Sequence, residues 1–352
     1  MPRNFHVKAG SAAIKHVEKH GLSPEMIQVI PAAAGGPKWI VLYALDKYLM
    51  TDWFANRKRD LHLVGASAGA WRMMCYATST PVESLDRFLK SYVEQSYPEW
   101  PTPEQVSSKM SEILEYSLSD HGRDDILNSK NRFLHIITSE SNFKIKEGAS
   151  YKFQFGKIAL KNLVSRAWLN HDLQRVVFSN QKDSADVLKL TDSLQTTFKQ
   201  LTKETILSAL RATGTIPMLM NPVIDISAPD RLLWDGALVD YHIALEYQVD
   251  GLILYPHFSE RIIPGWFDKF VPWRKASKSV TDKMIMIYPS TTFIESLPDQ
   301  KIPDRKDFET YFDRKGTRIS NWYEVAKRGE EIAQEFDDIY AAGTISDHIE
   351  KF

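Results

Sequence analysis

The stretch LHLVGASAGAW, residues 61–71, sets Gly-Ala-Ser-Ala-Gly between an apolar run and a segment rich in Ala and Met. His62–Val64 reads as the end of a strand and Ala68–Ala77 as a helix. Only small residues flank Ser67, so strand and helix backbones can approach closely at the turn. Two readings fit. In one, Gly65 and Gly69 are there for sterics and Ser67 caps the helix. In the other, G-x-S-x-G is a nucleophile elbow, a strained turn that projects a serine hydroxyl from the carboxyl edge of a sheet.

A strand–loop–helix unit of the same kind precedes it. MIQVIPAAAGG reads as a strand running into a small-residue loop, and Lys38–Leu49 has helical spacing. Two such units in succession predict parallel strands in a doubly wound α/β sheet. Both loops then lie at the carboxyl edge, where such sheets bind ligands. Farther along, Ser11–His20 is expected as a helix stopped by Gly21, and residues 81–130 as helices opened by Pro81, Pro101 and Pro103. RFLHIITSE, RVVFSN, GLILYPHF and DKMIMIYP are expected strands, and NFKIKEGASYKFQFG alternates as a hairpin would. KETILSALRATGTIP reads as a helix ending near Gly214, and Arg318–Phe336 as an amphipathic helix. No composition break forces a boundary, so a single domain over 1–352 is expected, with 141–200 and 260–352 as peripheral segments.

Charge narrows the function classes. Lys and Arg number 44 against 45 Asp and Glu, which leaves no global footprint for nucleic acid. The single cysteine, Cys75, permits no internal disulfide and suits a reducing compartment, where it serves as a small core residue. No apolar run reaches the length of a membrane span, and MPRNFHVKAG lacks the apolar core of a secretory leader. A cytoplasmic location is therefore expected, with peripheral membrane contact as an option. His, Cys and Asp are not clustered at metal-ligand spacing, so neither a metal nor another cofactor is expected.

The loop PAAAGGPKW, residues 31–39, opens a helix and leaves backbone N–H groups unpaired. A phosphate loop requires Lys-Ser or Lys-Thr where this chain has Lys38-Trp39, and no G-x-G-x-x-G is present. What remains is a plain turn or an oxyanion hole, with N–H donors from Gly35 and Gly36 and a third from Ala68, the residue after the serine.

A serine nucleophile needs a proton acceptor. The histidines after Ser67 include His242, His257 and His348, none in a recognisable loop with an acid. LLWDGALVDYH, residues 232–242, is the stronger candidate. It is either an Asp-Gly turn between strands, or a presentation of Asp235 at the sheet edge, with apolar neighbours such as Trp234 raising its proton affinity.

Taken in order, A-G-G-P-K at 34–38, G-A-S-A-G at 65–69 and D-G-A at 235–237 resemble the patatin-like phospholipase family of lipid acyl hydrolases. SALRATGTIPMLMNPVIDI also resembles that family's segment ahead of its D-G-[GA], so the likeness spans roughly 27–250. It implies a three-layer α/β/α sandwich with a mainly parallel central sheet, and a Ser–Asp dyad without histidine. Ser67 is then the nucleophile, Asp235 the base, and Gly35 and Gly36 the oxyanion donors. Lys38 would orient the loop or meet a lipid head group, unless it is a solvated helix-start lysine. The substrate would be a lipid or other acyl ester, and the activity lipid degradation. The chain departs from the family at Ala33-Ala34, where Asp and Gly are usual, at Trp39, where Gly is usual, and at Asp240-Tyr241-His242-Ile243 after the D-G-A, where Asn and Pro often stand. Two rival readings stand beside this one: an α/β-hydrolase triad using His242, His257 or His348, and a silent lipid-binding protein that keeps the fold.

ERIIPGWFDKFVPWRKASK, residues 260–278, interleaves aromatics with bases. Trp266, Phe267, Trp273, Arg274 and Lys275 are candidates for contact with an anionic membrane. The competing expectation is that the aromatics pack on the core while the bases face water.

Overall fold

A computed structural model of the chain describes residues 3–143, 151–190, 192–226 and 228–352. Its strands are β1 (Phe5–Ala9), β2 (Ile27–Ala32), β3 (Leu61–Ala66), β4 (Arg132–Ser141), β5 (Leu173–Ser179), β6 (Leu188–Lys189), β7 (Thr196–Gln200), β8 (Val223–Asp225), β9 (Ala228–Asp235), β10 (Glu246–Tyr247), β11 (Leu252–Pro256), β12 (Met284–Pro289) and β13 (Ile349–Lys351). Eleven of them form one sheet, ordered β13-β1-β12-β11-β2-β3-β4-β5-β7, with β9 on β4 and β8 on β9. The central run β12-β11-β2-β3-β4 is parallel throughout. Helices cover the sheet on both faces, giving the three-layer α/β/α arrangement.

The parallel centre follows from the sequence. β3, β11 and β12 are buried at every position, which is why they read as continuous apolar runs and not as alternation. Beside that run β1 is antiparallel to β12, and β5 and β9 to β4, while the outermost strands β13 and β7 pair parallel with β1 and β5. Both segments expected at the periphery supply sheet strands, β5 and β7 from 141–200 and β12 and β13 from 260–352.

Three local expectations change. Residues 151–156 of the expected hairpin belong to a helix, Tyr151–Val164, and 144–150 lie outside the described residues. The helix wins because Phe155, Ile158 and Asn162 are buried at helical spacing, so the alternation Tyr-Lys-Phe-Gln-Phe does not mark two faces of a sheet. Pro101 starts nothing. Thr102 caps the helix Pro103–Leu118 with a reciprocal Gln105 contact, and Pro103 takes the first helical position. After Asp235 the chain makes a 3₁₀ turn, Gly236–Leu238, and not a hairpin.

Candidate active site

Register brings Ser67 and Asp235 together across 168 residues of sequence. β3 pairs with the first part of β4 and stops at Ala66, opposite Ile137. β9 takes over the same side of β4 from the other direction, pairing Leu232 with Ser141 and ending with Asp235 opposite Thr138. The two strands therefore meet head to head along β4. A Cβ on Gly236 would lie 2.0 Å from the carbonyl oxygen of Ile137 and 3.0 Å from the Cβ of Ala66, so only glycine allows this junction.

Ser67 has φ 53° and ψ −134°, a backbone region that non-glycine residues rarely occupy. Packing holds it there. Its N–H donates to the Thr213 hydroxyl at 2.9 Å, which in turn donates to the Ile137 carbonyl at 2.5 Å. The following helix, Ala68–Ala77, lies so close to β2 that a Cβ on Gly69 would fall 2.1 Å from the Ala32 carbonyl oxygen. Arg72, one turn along that helix, forms a buried bidentate pair with Asp46 at 2.7 and 2.8 Å. Cys75, in the same helix, is buried as expected.

The Ser67 hydroxyl donates to Asp235 Oδ2 at 3.0 Å. Ser67 is 7% exposed and Asp235 6%. Asp235 Oδ1 accepts the Ala237 N–H at 2.8 Å, which fixes the carboxylate plane. Its backbone is held by Thr215 O and the Ser139 hydroxyl. Burial pushes its pKa up from 3.8 to about 6, against the Ala237 and Ser67 hydrogen bonds and the charges of Arg305 and Lys269. A carboxylate so placed can accept a proton near neutral pH. Among the described residues Ser67 makes no hydrogen bond to a histidine. Burial holds the His242 and His257 pKa values well below normal, the latter at about 3. His62 and His135, 3.2 Å apart in the core, also sit low for want of solvent.

The loop after β2 lies beside β3, since Ala32 pairs with Gly65. Ala34 donates its N–H to Tyr241 O at 2.8 Å, tying the loop to the segment after the D-G-A. Among the described residues the N–H groups of Gly35, Gly36 and Ala68 have no acceptor. Gly36 has φ 58°, and a Cβ there would meet the Arg305 side chain at 3.2 Å. Lys38 is half-buried over the Phe258 ring, 5.3 Å from its centroid, and burial lowers its pKa, so it is not a freely solvated lysine.

In the basic-aromatic segment, Phe267 is buried and cannot face a membrane, Trp266 is half-buried, and Trp273 and Lys275 are exposed. Arg274 is turned inward, 2.6 Å from the fully buried Asp268. Asp268 also takes Asn162 at 2.7 Å, Arg166 at 3.2 Å and the Gly265 N–H at 2.9 Å. This anchor fixes the turn Trp266–Phe270 and holds Lys269 4.1 Å from the Tyr241 ring centroid. Asp240, after the D-G-A, pairs with the buried Arg175.

Sequence reasoning did not single out Thr213, Thr215, Ser139 or Arg305, and it counted Lys269 only among the bases of 260–278. Thr213 and Thr215 lie in the stretch SALRATGTIPMLMNPVIDI and Ser139 in β4, all far in sequence from Ser67 and Asp235. A cleft of about 310 Å³, lined by Ser91, Gln95, Glu112 and Tyr116, contains none of the site residues. No group of three or more His, Cys, Asp or Glu among the described residues is placed to hold a metal ion. Nor is any described helix long and apolar enough to cross a membrane.

No family model matches the chain. No curated protein matches it either. Among solved structures the chain is similar to the crystal structure of VipD from Legionella pneumophila, at 14% identity over 91% of this chain and 70% of that one, with a TM-score of 0.31. A likeness of that order establishes neither a shared family nor a shared activity.

Proposed function

We propose that the chain is a serine acyl-ester hydrolase acting on lipid esters through a Ser67–Asp235 dyad. The observation that carries this reading is the 3.0 Å hydrogen bond from the Ser67 hydroxyl to a buried carboxylate whose pKa is raised to about 6. Asp235 accepts the hydroxyl proton as Ser67 Oγ bonds to the ester carbonyl carbon. The N–H groups of Gly35, Gly36 and Ala68 are the donors for the oxygen that becomes negative. Collapse breaks the bond to the alcohol oxygen, which takes the proton from Asp235 and leaves an acyl group on Ser67. Water then gives a proton to Asp235 and its oxygen to the acyl carbon. The carboxylic acid departs and the proton returns to Ser67. Lipid as the acyl donor is supported by the resemblance of the three motifs to patatin-like phospholipases.

The test is hydrolysis of p-nitrophenyl acyl esters of several chain lengths, and of phospholipid vesicles, by wild type, Ser67→Ala and Asp235→Asn. Turnover by wild type with loss in both variants is expected. Turnover that survives Ser67→Ala overturns the proposal.

A further inference from the structure

The helix Tyr151–Val164 is apolar on both sides. Phe155 and Ile158 face the core, while Phe153 and Leu160 are 64% and 68% exposed, with Leu163 and Val164 exposed beside them. A surface helix normally turns a polar face to water, and contiguous exposed apolar surface marks a contact site. A second element with exposed aromatics is tied to this helix. Asn162 Nδ2 donates to Asp268 Oδ1 at 2.7 Å, and Arg274 donates to Asn162 O at 2.8 Å, so helix and turn Trp266–Phe270 are locked together. Phe270, the last residue of that turn, and Trp273, three residues on, are 77% and 71% exposed.

We propose that this joint face docks the protein on an anionic lipid bilayer. Charge selects that occupant. Residues 151–171 contain Lys152, Lys157, Lys161 and Arg166 and no Asp or Glu. Lys161 is held by Asp172 at 2.6 Å, whereas Lys152 and Lys157 are exposed on the helix. In 266–278 the sole acid, Asp268, is fully buried, and Lys275 and Lys278 are exposed. An apolar stripe flanked by lysines matches acyl chains below a layer of phosphates. A second copy of the chain on the same face would set like charges against each other. Lys269, in the same turn, reaches Tyr241, whose carbonyl holds the loop at Ala34, so docking here brings lipid to the flank of the dyad. The inference does not depend on catalysis, because docking is read without turnover.

Flotation of the full chain with vesicles of phosphatidylcholine alone, or mixed with phosphatidylglycerol, tests it. Binding to the mixed vesicles that weakens with added salt is expected, and Ser67→Ala should bind as wild type does. Replacing two exposed aliphatic side chains, Leu160→Glu with Val164→Glu, should weaken binding about tenfold or more, with thermal unfolding and short-ester hydrolysis unchanged. Trp100→Ala, at an exposed tryptophan elsewhere, should bind normally. Failure to bind anionic vesicles overturns the proposal, as does unchanged binding by the Leu160/Val164 variant. So does a dimer in light scattering that this variant dissociates.

Discussion

Asp235→Asn should make the protein more stable at neutral pH while destroying its proposed activity. The buried Asp235 carboxyl has its pKa raised from 3.8 to about 6. Between those values the folded chain holds a proton that the unfolded chain has released, so stability falls as pH rises through this window. Above it the full cost of the buried negative charge is present. At about 1.4 kcal/mol per pH unit, that cost is about 3 kcal/mol. Asparagine keeps the shape and the acceptor for the Ala237 N–H and removes the charge. With an unfolding entropy of about 2.1 cal/mol/K per residue, about 3 kcal/mol raises Tm by about 4 °C in a chain of this length. Thermal unfolding followed by circular dichroism should show that gain at about pH 8 and lose it by about pH 4, where both proteins are neutral at this position. A variant no more stable than wild type at the alkaline end, or a gain that grows towards acid, refutes the reasoning.

Four further outcomes follow from the same geometry. Hydrolysis of a short soluble ester should fall as pH drops through about 6, where Asp235 takes up a proton; a rate flat across that range contradicts Asp235 as base. Gly36→Val forces a branched residue into φ 58° against Arg305 and should lower kcat by about 10²–10³, as loss of an oxyanion donor does; full activity would move the hole elsewhere. Thr213→Val leaves the buried Ser67 N–H without an acceptor and should cost about 1–3 kcal/mol in thermal or chemical unfolding, with kcat reduced more than KM is raised; an unchanged Tm contradicts the role given to Thr213. Gly69→Ala drives a methyl group into the Ala32 carbonyl and should reduce soluble yield or Tm, whereas a stable, active protein would mean that helix and strand can separate at the elbow.

The tight strand-to-helix turn at Ser67 was legible because its constraints are local: Gly65, Ser67 and Gly69 lie within five residues, and the steric demand falls on the same turn. The parallel centre was legible for a similar reason, since β2 and β3 each run into a small-residue loop and a helix. Asp235 is different. Its partnership with Ser67 depends on β4 pairing β3 along one half and β9 along the other, and no periodicity in residues 132–141 encodes such a division. Only the D-G-A motif pointed to it. The antiparallel pairings of β1, β5 and β9 escaped because a buried strand has the same apolar run in either direction. Residues 151–156 misled through their own alternation, since a helix with apolar residues on both sides lacks the contrast that marks its period. For Phe267 the sequence left membrane contact and core packing both open, and it is buried, beside Asp268, which anchors the turn to Asn162, Arg166 and Arg274.

The central claim is that Ser67 carries the acyl group with Asp235 as its base. Rapid acid quenching of the protein during hydrolysis of a p-nitrophenyl acyl ester, followed by mass spectrometry of the intact chain and its peptides, reads this directly. The account predicts one acyl mass, placed on the peptide containing Ser67, absent in Ser67→Ala and formed far more slowly in Asp235→Asn. An acyl group on another residue, or equally fast acylation in Asp235→Asn, would contradict it.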